Sequence, residues 1–578
     1  MNPLLLVPPA LIVALALDQG GFDPSSWVWS GAVAAWAAAT VAVTSRELAV
    51  SRRAQAWAAS ACAVLAWVAL SWLWSDRRVQ TVLELRRAAV YVAAAIALVV
   101  LVRRGRVRHV LLLTHAAIVV VIVYALTRYL TETRTFDPFE GALLAQPLGY
   151  ANALAALAAI GLVLGTGLTV LAGAPHVRAA AGASVPILAA TFPLTQSRGA
   201  VVALGAGLAV VVLCAEDVGP FVRAALILTP GAAVAAATAA LSRLSDGSGT
   251  HHAHAGWILG GVTLMCALGT AVAVGRAHAT ASHRRHMPRL AVAGVLAIGA
   301  AASVAATWST EPRASLWRVA WHQFTAHVAL GSGAGTFALA WVRSGLVTTR
   351  GGALDAHSLY LETLAELGLI GLIVVLAFLL LPLAHANLRT GPAPVAAGAY
   401  VVFLVHAGLD WDWEMPAVVL AGLCCGAAVL ASEETRVGAF GSRGRATVVV
   451  LALALGALSI AGAHSSSEPG VARPLVAVVL GARVAVPVAG VAGLPVPLAV
   501  PVLRTALGGA GRERVAVPEM RLQRLRRHGD GPPRMLPRMG VVADLDAVLP
   551  ARRAVLAARR AVVVIVAVLV SRRAVLIA

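Results

Sequence analysis

DAHSLYLETLAELGLIGLIVVLAFLLLPLAHA, residues 355–386, decides the fold. Its second part is an apolar run, read as a helix over 364–386, and a run of that length crosses a hydrocarbon core of about 30 Å. Backbone groups in lipid must find their partners within the segment, so the run is helical. Its first part sets a histidine, three carboxylates and a tyrosine against the start of that run. Charges there are costly unless they lie at the water interface or perform chemistry.

The same hydrophobicity recurs along the chain. Of 578 residues, 59% are hydrophobic and 12% charged, and the mean hydropathy is +0.83. These values leave the soluble globular range for that of polytopic membrane proteins. Apolar helices are read at 4–17, 27–43, 55–74, 88–102, 110–130, 149–172, 184–196, 199–214, 221–241, 256–275, 289–307, 364–386, 396–409, 416–431 and 447–463. The fold class is therefore all-α, a polytopic integral membrane helix bundle of about 12–15 transmembrane helices. A large external loop over 308–362 is expected to carry short amphipathic helices.

The formal charge is +20, and every cation counted in it is arginine. The arginines cluster at the ends of apolar runs and form no single basic face, so no nucleic-acid partner is expected; they report topology. With the N-terminus inside, SRELAVSRR, RRGRVRH and GRAHATASHRRHMPR fall on the cytoplasmic side. SDRRVQTVLELRR (75–87) is the exception, placed outside and read as an amphipathic interfacial helix. MNPLLLVPPALIVALALDQG lacks a basic start and reads as a first span, not a cleaved signal. The five cysteines lie in or beside apolar runs without CxxC spacing and read as packing residues.

The chain divides into N-terminal membrane helices (1–130), a catalytic membrane core with the external loop (131–432), a last span with its flank (433–469) and a tail (470–578). From about residue 470 no Phe, Trp or Tyr occurs. Two readings of this Ala/Val/Arg/Pro-rich tail stand: a low-complexity segment, or sequence translated out of frame.

Four polar groups gather at external helix ends. QPLGYANALA offers Tyr150 and Asn152, and TQSRGA sets Arg198 in a sharp turn. EPRASLWRVAWHQFTAHVALGSGAGTF supplies Arg313, Arg318, Trp317, Trp321, His322 and His327 ahead of a glycine-rich turn. The opening stretch adds Asp355, His357, Tyr360 and Glu362. An arginine at the mouth of a bundle suits a phosphate ligand through its bidentate fork. The 3- and 4-residue spacing around Trp317 and Trp321 describes an amphipathic helix, its tryptophans serving as interface anchors or sugar platforms. GSGAGTF follows no strand, so its glycines read as a tight turn and not a nucleotide fingerprint.

Asp355 is placed to cap a helix start, with His357, Tyr360 and Leu361 on one face of that helix. Glu362 and Glu366 suit the positive helix end at the interface, whereas a histidine gains nothing as a cap. Neutral imidazole is the side chain matched to take a proton from a hydroxyl near pH 7. HHAHAG (His251, His252, His254) lacks a carboxylate partner, so no metal site is expected. LVHAGLDWDWEMP carries His406, Asp410, Asp412 and Glu414, which either line the same cavity or face water.

GYANALA, SRGA, RASLW followed by GSGAGTF, and above all HSLYLETLAELGLIG together resemble the O-antigen ligase and polymerase family, over about residues 140–432. HAGLDWDW also resembles a segment of actinobacterial members, while Ser358 stands where the family usually has asparagine. The resemblance implies a membrane glycosyltransferase of the bacterial cytoplasmic membrane, working on its external, periplasmic face. It would move a glycan from an undecaprenyl-diphosphate-linked donor to a glycan or glycolipid acceptor hydroxyl, with no nucleotide cofactor and no required metal. Carried over by motif, Arg198 and Arg313 would clamp the diphosphate and His357 would be the general base. Tyr150, Asn152, Tyr360 and Asp410 are further candidates for substrate binding. The competing class is a polytopic transporter with a His406/Asp410 relay; the gathering of these residues on one face, away from the midplane, argues against it.

Overall fold

The computed structural model describes residues 2–46, 48–131, 137, 139–246, 253–277, 311–346, 353–384, 388–432 and 437–461. The expected span at 289–307, His251, His252 and the tail from 470 lie outside the described residues. The chain is an all-α polytopic membrane protein. Its first ten helices are α1 (Val7–Leu17), α2 (Pro24–Thr44), α3 (Arg52–Ser71), α4 (Arg78–Leu101), α5 (Val107–Thr131), α6 (Ala151–Leu171), α7 (Pro175–Thr195), α8 (Arg198–Cys214), α9 (Gly219–Leu241) and α10 (Ala253–Ala277). Then come α11 (Glu311–Ala326), α12 (Phe337–Arg343), α13 (Leu359–Ala384), α14 (Ala393–Ala407), α15 (Pro416–Ser432) and α16 (Ser442–Ala461).

Among the described residues, nine helices are long and apolar enough to cross a membrane, and α1, α8, α14 and α15 are shorter apolar helices. Most begin and end within a few residues of the expected runs. The exceptions are α4, which begins at Arg78 and not at 88, and α7, which begins at Pro175 and not at 184. The first turns of α7, PHVRAAAGA, open on a proline at N1 and continue mainly in alanine and arginine, helix formers of modest hydropathy, so the apolar signal starts after the helix does. α6 is apolar all round and 78% of its apolar window is buried, which places it inside the bundle. α8 meets α14 through Gly207 and Gly398; a Cβ on Gly207 would come 2.6 Å from Gly398 O. Small residues at that crossing let the two backbones approach.

Two ends of the bundle follow from alternate crossings. One end gathers the connections 45–51, 102–106, 172–174, 215–218 and 388–392, and there β1 (Ala49–Ser51) pairs antiparallel with β2 (Val437–Ala439). The other end carries the turns at 18–23, 72–77, 139–150, 196–197 and 408–415, together with α11 and α12. It is called the site end below.

The segment 75–87 corrects an expectation. It is not a separate interfacial helix: from Arg78 it is the start of α4. Arg87 is only 4% exposed and bridges Glu84 and Glu414, the latter at 2.6 Å. Its guanidinium also lies 5.0 Å from the centre of the Trp413 ring. Paired in this way, the charge is neutralised locally and no longer reports which side of the membrane it occupies.

The hydrogen-bond ladder of α13 is interrupted twice, and each gap is filled from outside. Gly368 has φ +69°, ψ −172°, which interrupts the helix and frees the Leu367 carbonyl. Trp67 Nε1 donates to that oxygen at 3.0 Å. Pro382 has no N–H to offer the Phe378 carbonyl four residues back, and Trp57 Nε1 fills the gap at 3.0 Å. An unmet carbonyl at such a position costs about 1–3 kcal/mol. The two tryptophans of α3 thus hold α13 in its bent form.

Candidate active site

The site is built from the stretch that precedes α13. Asp355 folds it into an Asx turn, its Oδ1 accepting from His357 N at 3.0 Å. That turn leaves His357 with φ +51°, a left-handed conformation uncommon outside glycine. The same Oδ1 lies 2.6 Å from His357 Nδ1. Burial resists charging the imidazole, but the contact and charge of Asp355, helped by Asp410, outweigh it. His357 therefore titrates above the ordinary histidine value, although Arg313 pulls the other way. Two expectations change here. Asp355 shapes the turn, while Ser358 is the residue before the helix, accepting from Leu361 N at 3.5 Å. His357 lies outside the helix and shares no helical face with Tyr360.

Asp410, 1% exposed, is the hub of a second group. Tyr150 donates its hydroxyl to Oδ1 at 2.5 Å, and Asn152 Nδ2 donates to Oδ2 at 2.7 Å. Arg313 Nη2 reaches the same Oδ2 at 2.8 Å, and Trp411 N closes on Oδ1 at 2.9 Å. The Tyr150 phenol stays a donor, because burial and the Asp410 charge raise its pKa. Tyr150 also packs on Trp411, ring centres 4.4 Å apart. Three elements far apart in the chain thus converge on one carboxylate. Arg313 is 28% exposed, which leaves part of its fork open.

Arg198 is exposed at the first turn of α8, where Ser197 Oγ accepts from Ala200 N. Its neighbour Gly199 faces the His406 ring; a Cβ there would stand 3.5 Å from Nε2. His406 and Asp412 form a fully buried pair, Nδ1 to Oδ2 3.0 Å, out of line for a hydrogen bond. The anticipated His406/Asp410 relay is therefore not a direct pair: His406 meets Asp412, and Asp410 meets Arg313. Tyr360 donates to Leu404 O at 2.8 Å, and its ring covers Gly408, which joins α13 to α14. His254 opens α10 and is exposed.

The glutamates are not at a wet boundary, as the sequence led one to expect. Glu362 and Glu366 are buried. Glu362 accepts from Ala356 N at 2.7 Å and so braces the turn that carries His357. Glu366 accepts from Gly335 N at 2.7 Å and Phe337 N at 2.8 Å, pinning the glycine-rich turn. Gly331, Gly333 and Gly335 all have positive φ; a Cβ on Gly331 would strike the Glu366 backbone of α13, and one on Gly333 or Gly335 would strike Ser75 or Gln80, so the turn lies directly between α13 and the α3–α4 junction.

Sequence reading passed over the Glu84–Arg87–Glu414 network beside the site. Burial pushes the Glu414 carboxyl up to about 7, against the pull of Arg87 and with help from Glu84 and Asp355. The signal was present in the sequence: RR at 86–87 violates the positive-inside pattern, and an arginine in the wrong place for topology needs a local partner.

With this geometry in place, comparison with known families is informative. Residues 183–376 match the family model described as O-antigen ligase. Over about a third of its length the chain is thus O-antigen ligase-like. No curated protein matches the chain. The matched segment contains Arg198, Arg313 and His357 but not Tyr150, Asn152 or Asp410, so the hub carboxylate and two of its donors come from outside it.

Proposed function

We propose that the chain transfers a glycan from an undecaprenyl-diphosphate-linked donor to a sugar hydroxyl of a glycan or glycolipid acceptor, at the outer face of the bacterial cytoplasmic membrane. The observation that carries this reading is His357, fixed by Asp355 in a left-handed turn and within the field of the Asp410–Arg313 pair. With Nδ1 turned to Asp355, Nε2 is the nitrogen left to accept the acceptor's proton. The acceptor oxygen then bonds to the anomeric carbon as the carbon–oxygen bond to the diphosphate breaks. The polyprenyl diphosphate leaves with the electron pair, and Arg198 and Arg313 offset its charge. Asp410, held by Tyr150 and Asn152, orients Arg313.

In proteoliposomes given a polyprenyl-diphosphate-linked oligosaccharide and an acceptor glycan, His357→Ala is expected to lower turnover about 10²–10⁴-fold. A folded variant that transfers sugar at the parental rate removes the base assignment. Arg198→Ala and Arg313→Ala are expected to weaken donor use; unchanged kinetics in both remove the clamp.

A further inference from the structure

An exposed apolar stretch lies outside the spanning helices. From the last turns of α11 the chain runs WHQFTAHVAL (321–330) into the glycine-rich turn. Val328 is 48% exposed and Leu330 43%. Trp321 is 52% exposed, its ring centre 5.3 Å from that of Phe324. A single exposed apolar side chain needs no explanation, but three within ten residues do.

Main-chain bonds fix where this stretch lies. Leu369 N donates to Val328 O at 2.8 Å and Ile370 N to Ala329 O at 3.3 Å. Leu369, Ile370 and Ile373 are exposed too, and they belong to α13, a helix long and apolar enough to cross a membrane. From Gly368 to Ala384 that helix rises about 25 Å, most of a hydrocarbon core of about 30 Å. Leu369 thus stands where hydrocarbon gives way to headgroups at the site end, and Val328 stands beside it. Trp67, half-buried on α3, marks the same level through its bond to Leu367 O. An indole suits that layer, with an apolar ring and one N–H to satisfy. No Asp, Glu, Lys or Arg occurs from 319 to 342, so no fixed charge resists contact with lipid. The polar members, His322, Thr325 and His327, suit the headgroup layer and not the hydrocarbon.

We infer that the end of α11 and the turn after it are seated on the bilayer at the site end, with Trp321, Val328 and Leu330 against the acyl chains. The partner is the lipid surface, and the contact continues the lipid-facing side of α13 onto a segment that does not cross the membrane. α11 is thereby fastened to the bilayer at one end and meets Asp410 through Arg313 at the other. Arg313 and Trp321 are about 12 Å apart along the helical rise. The membrane contact does not depend on the transfer reading above.

The test uses the unmodified full chain in phosphatidylcholine vesicles that contain a phospholipid with a diazirine near the top of one acyl chain. After irradiation and digestion, label is expected on residues 321–330 as well as on Leu369, Ile370 and Ile373. A water-soluble diazirine is expected to spare Val328 and Leu330. Val328→Glu combined with Leu330→Glu is expected to lose the lipid label over 327–330 and keep it at 369–373, where it reports that α13 is still in place. Lipid label at 369–373 with none over 321–330 overturns the inference. Labelling by the aqueous reagent then puts the stretch in water, and labelling by neither puts it against protein, a second copy or another part of this chain. Lipid label left unchanged over 327–330 by the double substitution overturns it as well.

Discussion

Arginines stand at both ends of the bundle, but they meet different partners. Away from the site, Arg445 donates to the carbonyls of Ala42, Ser45 and Arg46, Arg106 to Leu101 O, and Arg178 to Ala172 O. These are carbonyls at or just past the last turns of helices, which lack intrahelical partners and carry the negative end of the dipole. At the site end, Arg87 and Arg313 meet carboxylates that are themselves buried or nearly so. An arginine on a carbonyl finishes a helix and faces water. An arginine on a buried carboxylate is held in place, and its remaining donors have a fixed direction. The partner, more than the residue type, separates the arginines that report topology from those available for chemistry.

That contrast can be broken by substitution. The largest stability effect is expected from Arg87→Met, which strands Glu84 and Glu414: about 3–5 kcal/mol in denaturant unfolding of the detergent-solubilised chain. The loss should grow as pH rises from 6 to 8. With Arg87 present, burial raises the folded pKa of Glu414 to about 7 and Arg87 holds it down; without Arg87 it moves higher, so the variant goes on losing stability as pH rises past the point where the parent has levelled off. Gly368→Ala comes next, since it forces φ +69° on alanine and sets a Cβ 2.4 Å from Ala329 O. At least about 1–3 kcal/mol is expected, read by the same unfolding measurement.

Asp355→Asn should act on rate more than on stability. It removes the charge that raises the His357 pKa and leaves burial, which lowers it. A general base is active when deprotonated, so the acid limb of the pH–rate profile should move to lower pH, with slower transfer on the plateau. An unmoved limb would detach Asp355 from the titrating group. The smallest effect is expected from Arg445→Met, under about 1 kcal/mol, because its partners sit at a wet helix end. If Arg445→Met costs as much as Arg87→Met, the distinction between the two ends fails.

The fold was largely legible because hydropathy over 20 or so residues is a strong, local signal. It blurred where helix and apolar run differ, at the alanine-rich start of α7 and the charged start of α4. The candidate site could be proposed from its residue types, since Tyr150, Asn152, Arg313, His357 and Asp410 all stand out at helix ends. Their arrangement could not be. Asn152 and Asp410 are 258 positions apart, and no spacing rule reaches that far. Nor does sequence show that Asp355 makes an Asx turn, since the same residue serves equally well as a helix cap. The buried state of Glu366 was hidden for a related reason: its partners are backbone N–H groups of a turn some thirty residues earlier, and backbone donors leave no trace in residue identity.

The break at Gly368 has a mechanical consequence. Four backbone hydrogen bonds cross it, Ser332 N to Ala365 O, Gly333 N to Glu366 O, Leu369 N to Val328 O and Ile370 N to Ala329 O. The loop is stitched into the helix at the level of the main chain, much as a strand is laced into a sheet. Lifting it away would strip those bonds together with the two that Glu366 accepts. Two of the four bonds lie before Gly368 and two after it, so the loop spans the break and splints it. The two halves of α13 are held at one angle by main-chain bonds, and the turn that carries His357 is anchored to the stiffened end.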